Sequence, residues 1–425
     1  MEKMKKIFGP ADILVPANCD MSKWSVIACD QFSSQPGYWD DLDRYVGDAP
    51  STLRLMLPEA YLKQRDPFAE AKGINATMRR YLEGGVFQTL PSSCVYLERT
   101  QPDGKVRRGI MVALDLEAYD YAAGSASPIR ATEGTVEERL PPRVRVRRDA
   151  PLEMPHIMVL MDDPQNGVLG SLEAGAEKGR LPKLYDFDLN CGGGHLRGWQ
   201  VTGGDAAALE REMDAYTQEI HEQYEGTAPA MFAIGDGNHS LAAAKNCWEE
   251  IKRAGLPPER LEGHPARSSL VELVNIHDDA IGFEPIHKVL FGTDAEAFID
   301  AARAFWAERS RSSGAGHTLR LVAGQREERV VVDGLTIGQL IGAAEEFSQG
   351  YIAAHGGQVD YIHNDDTALE MAGRPGGAAT LLPRMEKDEL FPSVIRSGPF
   401  PKKSFSIGHA EDKRYYLECR RIQES

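Results

Sequence analysis

The segment Gly235–Ser240 (GDGNHS) combines residue types that bind phosphate groups and transfer protons. It follows the apolar run Ala230–Ile234 and precedes a stretch of helical periodicity, so we predict a strand, a tight loop and a helix. At such a junction, N–H groups and the positive end of the helix dipole favour an anion. Asp236 would take a hydroxyl proton or bind Mg²⁺, and His239 and Ser240 would donate hydrogen bonds to phosphate oxygens.

The two glycines of this loop, Gly235 and Gly237, would let a phosphate approach the backbone closely, with Asn238 as a further phosphate ligand. A simpler alternative stands beside this one with equal weight. In it, Asn238 or Ser240 only caps the helix and the glycines only form the turn.

A second candidate stretch, IRATEGT, begins at Ile129 and leads into the arginine-rich sequence PRVRVRR. Arg130 and Thr132 are candidate phosphate ligands, and Glu133 is a second carboxylate for metal or base chemistry. We predict that PRVRVRR is a strand with Arg143, Arg145 and Arg147 on one face, and guanidinium groups suit bidentate contact with phosphate. The alternative is a solvated strand whose arginines pair with nearby glutamates.

Two histidines complete the candidate set. His195 follows three glycines between two alternating segments that predict a hairpin, and it would line a cleft. His287 lies in the sequence EPIHKV after a predicted strand. A lone histidine of this kind is more often structural than functional.

The elements around the loop are the most legible in the chain. From Asp205 to Tyr224, apolar residues recur at spacings of three and four, which predicts an amphipathic helix. The loop's own helix has an apolar face from Leu241 to Ile251, and Ser268–Ile276 predicts a further buried strand. Together these patterns indicate a mixed α/β fold of the α+β kind.

The C-terminal part of the sequence predicts a separate, smaller module. A helix over Ala295–Trp306 is followed by the polar stretch 309–316, so we place a boundary there between a domain of residues 1–309 and an α+β module of residues 317–425. A hairpin around Gly324 and a helix over Ile337–Phe347 follow. The module would either close over the first domain or form a homodimer contact.

The composition excludes several classes of function. Of 425 residues, 42% are hydrophobic and 26% charged, as in folded globular proteins, and 48 basic against 64 acidic residues leave a net charge of −16. This charge disfavours general binding to nucleic acids or anionic membranes. No apolar run has the length of a membrane helix, and Gly9 and Pro10 interrupt the N-terminus before a signal sequence can form. With six scattered cysteines, we predict reduced thiols and a cytoplasmic location.

Several of these segments together are similar to a bacterial family catalogued as domain of unknown function 1015. The similarity runs through IRATEGTVEERLPPR, LYDFDLNCGGGHLRGWQV, GDGNHSLAAAK and FEPIHKVLF, and it covers nearly the whole chain. Jointly these motifs are highly specific for the family. The family has no settled activity, so the resemblance implies a fold but no reaction.

A more distant resemblance implies chemistry. Many relatives have Asp-Gly-His-His-Arg in the central loop, which resembles the motif of free-serine kinases in the ParB/sulfiredoxin superfamily. There the loop binds nucleotide phosphates and its aspartate serves phosphoryl transfer. Asp236, Gly237 and His239 match this motif, whereas Asn238 replaces the first histidine and Ser240 the arginine. The missing phosphate-binding cation would then come from elsewhere, such as Arg130 or Arg143.

We therefore formulate two hypotheses. The first is a nucleotide-dependent phosphotransferase with a ParB/sulfiredoxin-like core, acting on a small hydroxylated metabolite such as serine and using ATP, ADP or CTP with Mg²⁺. The second is a regulatory protein that binds a nucleotide or phosphometabolite without turnover. The acids Asp236 and Glu133 favour the enzyme, whereas Ser240 in place of an arginine favours the regulator.

Overall fold

The computed structural model describes residues 6–122, 124–134, 140–224, 226–311 and 316–424. The chain forms two compact units, each with its own strands and helices. Unit 1 consists of Met1–Ala131, Thr135–Ile281 and Gly408–Ser425, and unit 2 of Thr132–Gly134 and Gly282–Ile407. The fold is mixed α/β, as the sequence predicts.

Unit 1 is built on one large sheet. Among its described residues the strands are β1 Phe8–Gly9, β2 Ala11–Pro16, β3 Phe87–Thr100, β4 Val106–Asp115, β5 Ile129–Ala131, β6 Leu152–Glu153, β7 Met158–Met161, β8 Lys183–Asp188, β9 His195–Val201, β10 Phe232–Asp236, β11 Ser268–Asn275 and β19 Cys419–Arg421. Their order is β5-β10-β7-β11-β4-β3-β2-β19-β6, with β1 beside β4, β9 beside β3, and β8 beside β9. β10, which leads into the predicted phosphate loop, is therefore an inner strand between β5 and β7.

Helices cover this sheet on both faces. They are α1 Met21–Trp24, α2 Pro36–Val46, α3 Pro67–Glu83, α4 Leu140–Arg148, α5 Gly167–Glu177, α6 Gly203–Gln223, α7 Asn238–Arg253 and α8 Pro258–Glu262. On β4, Ile110 and Val112 enter one hydrophobic core, together with Leu241 of α7, while Met111 enters the opposite core with Leu42 of α2. Successive side chains of a strand point to opposite faces, so a strand buried on both sides has a continuous apolar sequence.

Unit 2 contains a five-stranded antiparallel sheet in the order β15-β14-β17-β13-β16 and a two-stranded pair, β12 with β18. The strands are β12 Phe283–Pro285, β13 His287–Phe291, β14 Gly316–Ala323, β15 Arg326–Asp333, β16 Gln358–Ile362, β17 Ala378–Leu381 and β18 Phe405–Ile407. The helices are α9 Ala295–Arg309, α10 Ile337–His355, α11 Asp365–Ala372 and α12 Leu390–Ser397. The predicted hairpin around Gly324 is β14 and β15.

The division between the units differs from the predicted boundary at 309–316, of which residues 312–315 lie outside the described ones. Helix α9 packs on β14 and β15, so it belongs with the sequence that follows it. The chain then returns to unit 1 after Ile407, where β19 pairs with β2 and β6. The division into two units depends on strand pairing between distant segments. Such pairing leaves no pattern in the local sequence.

The prediction that PRVRVRR forms a strand is wrong, because Leu140–Arg148 forms helix α4. Two prolines at its start fit the first turn of a helix, where their missing N–H groups have no intrahelical acceptor. Leu140 and Val144, four residues apart, pack on Ala243 and Cys247 of α7. This helical spacing accounts for the burial that the alternating pattern had assigned to a strand face.

The structure also bears on the state of the cysteines and on membrane crossing. All six cysteines are free thiols. Over the described residues, none of the helices has the combined length and apolar character needed to cross a lipid bilayer.

Candidate functional site

The loop Gly235–Ser240, called the glycine loop below, joins β10 to α7. β10 pairs in parallel with β5 and antiparallel with β7, so the start of the loop is fixed by neighbours on both sides. Gly237 has a φ of 78°, and a Cβ at this position would lie 3.0 Å from the Cα of Ile157. A glycine is therefore required here for the left-handed turn and for packing against the neighbouring chain.

Helix α7 begins at Asn238 without a side-chain cap, and its N-cap is Gly237. The alternative in which Asn238 or Ser240 caps the helix is therefore wrong. Asn238 is only 8% exposed, and its Oδ1 has no hydrogen-bond partner among the described residues. A buried polar atom without a partner is unusual in a folded protein and marks places where a water or ligand binds.

Asp236 ends β10 beside this helix start. Its Oδ1 accepts a hydrogen bond of 2.8 Å from the N–H of Gly237, and its Oδ2 lies 3.3 Å from Nζ of Lys413. The Asp236 side chain is 19% exposed and that of Lys413 is 12% exposed. A carboxylate and a buried ammonium group thus lie together where the dipole of α7 is positive.

Two arginines fix the main chain that carries Lys413. Arg99 donates to the carbonyl of Lys413, and Arg107 donates to that of Asp412 at 2.6 Å. The next residue, Arg414, is itself buried and donates to Pro155 through its Nε at 3.2 Å. Because its backbone is held on both sides, the Lys413 ammonium is directed at Asp236 rather than moving freely as a surface lysine would.

A buried charge network anchors this C-terminal segment to the sheet. Glu272 of β11 lies 2.7 Å from Arg414 and 3.3 Å from Arg107, and Arg414 also donates to Glu418 at 2.5 Å. Burial opposes ionisation of Glu272, but the charges of Arg107 and Arg414 outweigh it and hold its pKa below the ordinary value. Glu272 is therefore a permanent anion that secures the chain next to Lys413.

A second carboxylate, that of Asp30, lies in the same region of unit 1. Its Oδ2 is 3.8 Å from Nε2 of His156. Burial raises the pKa of Asp30, but the charge of His156, a hydrogen bond from Gln31 and the charge of Lys413 together hold it below the ordinary value. Asp30 and Asp236 thus share Lys413 as a positive neighbour.

His156 is 7% exposed and is oriented by Tyr416, whose hydroxyl lies 2.7 Å from its Nδ1. The Tyr416 oxygen already accepts from the N–H of Cys29 at 3.2 Å. The hydroxyl proton is therefore available for Nδ1, and the tautomer that accepts it has its ring N–H on Nε2. That Nε2 lies 3.5 Å from Oγ of Ser240, the last residue of the glycine loop.

A cavity of about 530 Å³ in unit 1 opens next to these groups, with Cys29, His156, Ser240 and Tyr416 among its lining residues. We call it the apolar cavity, because most of its remaining wall is aliphatic. Cavities of ~300–1,000 Å³ are the usual size for small-molecule sites. The glycine loop therefore borders an open space large enough for a ligand.

The two arginines proposed to contact phosphate have other partners. Arg130 lies on β5 and donates through Nε to the carbonyl of Ser127 at 3.2 Å and through Nη2 to that of Ala228. Arg143 lies on α4, borders the apolar cavity and pairs with Glu59. Their predicted contact with phosphate stays a prediction, whereas Lys413 provides a cation that touches the loop aspartate.

The remaining candidates in the second stretch lie in unit 2. The carbonyl of Thr132 accepts from the N–H of Phe400 at 2.7 Å. The carboxylate of Glu133 accepts from the N–H of Lys403 at 2.5 Å, so it binds backbone of its own unit. A catalytic role for Glu133 and a phosphate contact for Thr132 stay predictions.

The two lone histidines are engaged elsewhere. His195 on β9 lies 2.7 Å from both Asp186 and Asp188 of β8, and β3, β4, β11 and β7 separate β9 from β10 in the sheet. His287 of unit 2 accepts from the N–H of Leu382 at 3.1 Å and lies 2.8 Å from Asp365. A phosphate contact for either histidine stays a prediction. His239, in contrast, lies half-buried in the first turn of α7, as the loop motif requires.

The described residues lack a cluster of metal-ligating side chains. They contain no group of three or more histidine, cysteine, aspartate or glutamate side chains that could hold an ion. The predicted magnesium ligand, Asp236, faces the Lys413 ammonium, which would repel a cation at that oxygen. The side chains alone therefore do not fit a resident Mg²⁺.

Sequence reasoning missed Asp30, His156, Lys413 and Tyr416 as members of one site. They come from segments far apart in the chain, and none lies in a motif with a recognisable spacing. All four residues lie within the family resemblance, which covers nearly the whole chain. A signal was therefore present, without an indication of what these residues contact.

The fold and site thus define a mixed α/β protein in which a strand-to-helix loop borders an apolar cavity. The chain belongs to the family described as protein of unknown function (DUF1015), whose sequence model matches residues 14–394. No curated protein matches the chain in sequence.

Among solved structures, the chain is similar to a free serine kinase in complex with AMP, with 11% identity, a TM-score of 0.33, and coverage of 72% of this chain and 92% of that one. It is also similar to SbnI with C-terminal truncation from Staphylococcus aureus, with 9% identity, a TM-score of 0.33, and coverage of 69% and 84%. A conserved hypothetical protein from Pyrococcus furiosus has 10% identity, a TM-score of 0.31, and coverage of 72% and 96%. These similarities are too low to assign a function, so the proposal below rests on the site.

Proposed function

We propose that unit 1 is a nucleotide-dependent phosphotransferase that acts on a small hydroxylated metabolite. The observation that carries the proposal is the ion pair of Asp236 with Lys413 at the first turn of α7. The N–H groups of that turn and the Lys413 ammonium would bind the phosphates of ATP, ADP or CTP, with His239 as a further donor. Lys413 takes the part of the arginine that Ser240 replaces in the loop motif.

In the proposed reaction, the hydroxyl oxygen of the acceptor forms a bond to the terminal phosphorus of the nucleotide. The bond from that phosphorus to the bridging oxygen breaks, and its electron pair leaves with the shortened nucleotide. Asp236 accepts the hydroxyl proton, and Lys413 balances the charge on the transferred group. Asp30 is a second carboxylate whose charge interacts with that of Lys413.

Binding without turnover is the second candidate, and one observation favours it. Both oxygens of Asp236 already have partners, the N–H of Gly237 and the ammonium of Lys413. A carboxylate so engaged must give up one of these partners before it can accept the proton of an acceptor hydroxyl. In this case unit 1 would bind a nucleotide or phosphometabolite as a regulatory signal.

The experiment incubates the full chain with ATP, ADP or CTP, Mg²⁺ and a panel of amino and hydroxy acids, and follows phosphate transfer by mass spectrometry. A phosphorylated acceptor supports the phosphotransferase. Saturable nucleotide binding without product supports the regulatory protein. Absence of both binding and product contradicts both functions.

A further inference from the structure

The apolar cavity is far larger than a serine-sized acceptor needs. Its volume is about 530 Å³, and Ser240 of the glycine loop and Ala243 of α7 form part of its wall. Aliphatic side chains form much of the rest, among them Leu55, Leu57, Leu62, Met78, Pro142 and Val146. A small polar ligand would leave most of this apolar surface in contact with water, which is unfavourable.

Four of the five charged side chains that border the cavity are paired with each other, and the fifth is Lys63. Arg143 pairs with Glu59, and Arg147 lies 2.6 Å from Glu153. Each ion pair neutralises its own charges, so the wall that they contribute does not demand a charged ligand. The paired part of the wall therefore fits an uncharged ligand body.

The polar end of the cavity lies at the glycine loop. His156 presents its Nε2 there, while its Nδ1 lies 2.7 Å from the Tyr416 hydroxyl. The groups around Nε2 are distant for hydrogen bonding, with Ser240 Oγ at 3.5 Å and Asp30 Oδ2 at 3.8 Å. A histidine that is 7% exposed and lines a cavity thus has a ring nitrogen without a close partner, which suits a ligand hydroxyl because a hydroxyl can donate or accept.

We propose that the acceptor of this site is an alcohol with an extended apolar body, whose hydroxyl binds at His156 and Ser240 and whose body fills the apolar cavity. The role of the alcohol as a phosphate acceptor rests on the proposed function. Its binding rests on the cavity alone. The acceptor class is thus an amphipathic alcohol rather than serine or another small polar hydroxy acid. Burial of the apolar body would supply most of the affinity.

The test measures binding of butane-, hexane- and octane-1,2-diol and of serine to the full chain by titration calorimetry, without nucleotide. Each methylene buried in the cavity is expected to tighten binding about fourfold, and serine is expected to bind more weakly than octanediol. Affinity that does not change with chain length, or serine binding more tightly than the diols, would overturn the inference.

Two variants connect the length dependence to this cavity. Val146→Phe places a ring in the wall and is expected to abolish the length dependence, whereas Val331→Phe, the same change at an exposed position of unit 2, is expected to retain it. His156→Gln is expected to weaken every diol by the same factor, about three- to tenfold, without changing the slope. If diol affinity depends on chain length equally in Val146→Phe and in the wild type, the diols bind outside the apolar cavity and the inference is contradicted.

The outcomes separate this inference from the proposed function. Length-dependent diol binding without phosphate transfer would support the cavity ligand and contradict the phosphotransferase. Phosphate transfer to serine without length-dependent diol binding would support the phosphotransferase and contradict the cavity ligand. Transfer to octanediol, faster than to butanediol, supports both. The wild-type measurements decide among these outcomes even where a variant fails to fold.

Discussion

Lys413 Nζ lies 3.3 Å from Asp236 Oδ2, which joins the last segment of the chain to the glycine loop. Arg99 and Arg107 hold the backbone on the N-terminal side and at Lys413 itself, so the ammonium is positioned before any ligand binds. A preorganised charge costs little reorganisation when a phosphate binds or reacts. This pair is therefore the first target for mutation.

Asp236→Asn removes the negative charge but keeps an oxygen that can accept from the N–H of Gly237. We expect the fold and nucleotide binding to persist and phosphate transfer to decrease by about 10²–10⁴, the usual contribution of a positioned base. Turnover is measured by mass spectrometry and binding by calorimetry. Wild-type turnover in this variant would remove Asp236 from catalysis.

Lys413→Met removes the ammonium and keeps a side chain of similar length. Loss of a charge-assisted contact of about 1.5–3 kcal/mol should weaken nucleotide binding by roughly 10- to 150-fold. Lys178→Met, at an exposed position after α5, is the matched control and should leave affinity unchanged. If both variants bind nucleotide equally well, Lys413 is not a phosphate ligand.

Glu272→Gln tests the buried network behind the site. The change leaves Arg107 and Arg414 without their shared anion, and removal of one partner of a buried pair costs about 3–5 kcal/mol of the free energy of unfolding. Glu370→Gln, in an exposed pair with Arg374, should cost less than about 0.5 kcal/mol. Urea unfolding measures both, and equal stability of the two variants would contradict a stabilising role for the network.

His195 should make unit 1 less stable as the pH rises. Hydrogen bonds to Asp188 and Asp186 raise its pKa above the ordinary value of 6.5, although burial opposes the shift. The stabilisation is fully present below pH 6.5 and is lost as the pH rises through the raised pKa. The difference in unfolding free energy between the wild type and His195→Gln should shrink over this range, and a constant difference would show that the charged pair does not stabilise the hairpin.

His287 should have the opposite effect in unit 2. Burial lowers its pKa below 6.5, while the hydrogen bond and charge of Asp365 oppose the shift. The unfolded chain then binds a proton more readily than the folded one, so stability decreases as the pH falls from 6.5 through the lowered pKa. Unfolding of His287→Gln should depend less on pH in this window; an unaltered pH dependence would assign the effect to another group.

The sequence predicted much of the secondary structure around the site. The alternating segments of β8 and β9, the apolar stripe of α6 and the strand-loop-helix of β10 and α7 have local periodicities, and local periodicity follows from the geometry of a single element. The alternation in PRVRVRR predicted a strand, but it covers few residues, and the spacing of four between Leu140 and Val144 fits one side of a helix. The packing of Val144 on α7 distinguishes the two.

The set of residues in the site was predicted only in part. Asp236 and His239 lie in a compact motif, and the motif gives their chemistry. The structure pairs Lys413 with Asp236, whereas Arg130 and Arg143 satisfy other acceptors. Which cation pairs with which acceptor depends on the three-dimensional positions of distant residues, and a local sequence pattern does not contain these positions.

The amino-acid sequence by itself determined the loop, its glycine turn and the helices and strands on either side, because backbone sterics and side-chain periodicity act within a few residues. Only the tertiary structure decided that Asp30, His156 and Lys413 meet at this loop and that an apolar cavity opens beside it. The physical reason is that sheet pairing and buried ion pairs join distant segments, and the resulting contacts depend on all of those segments at once.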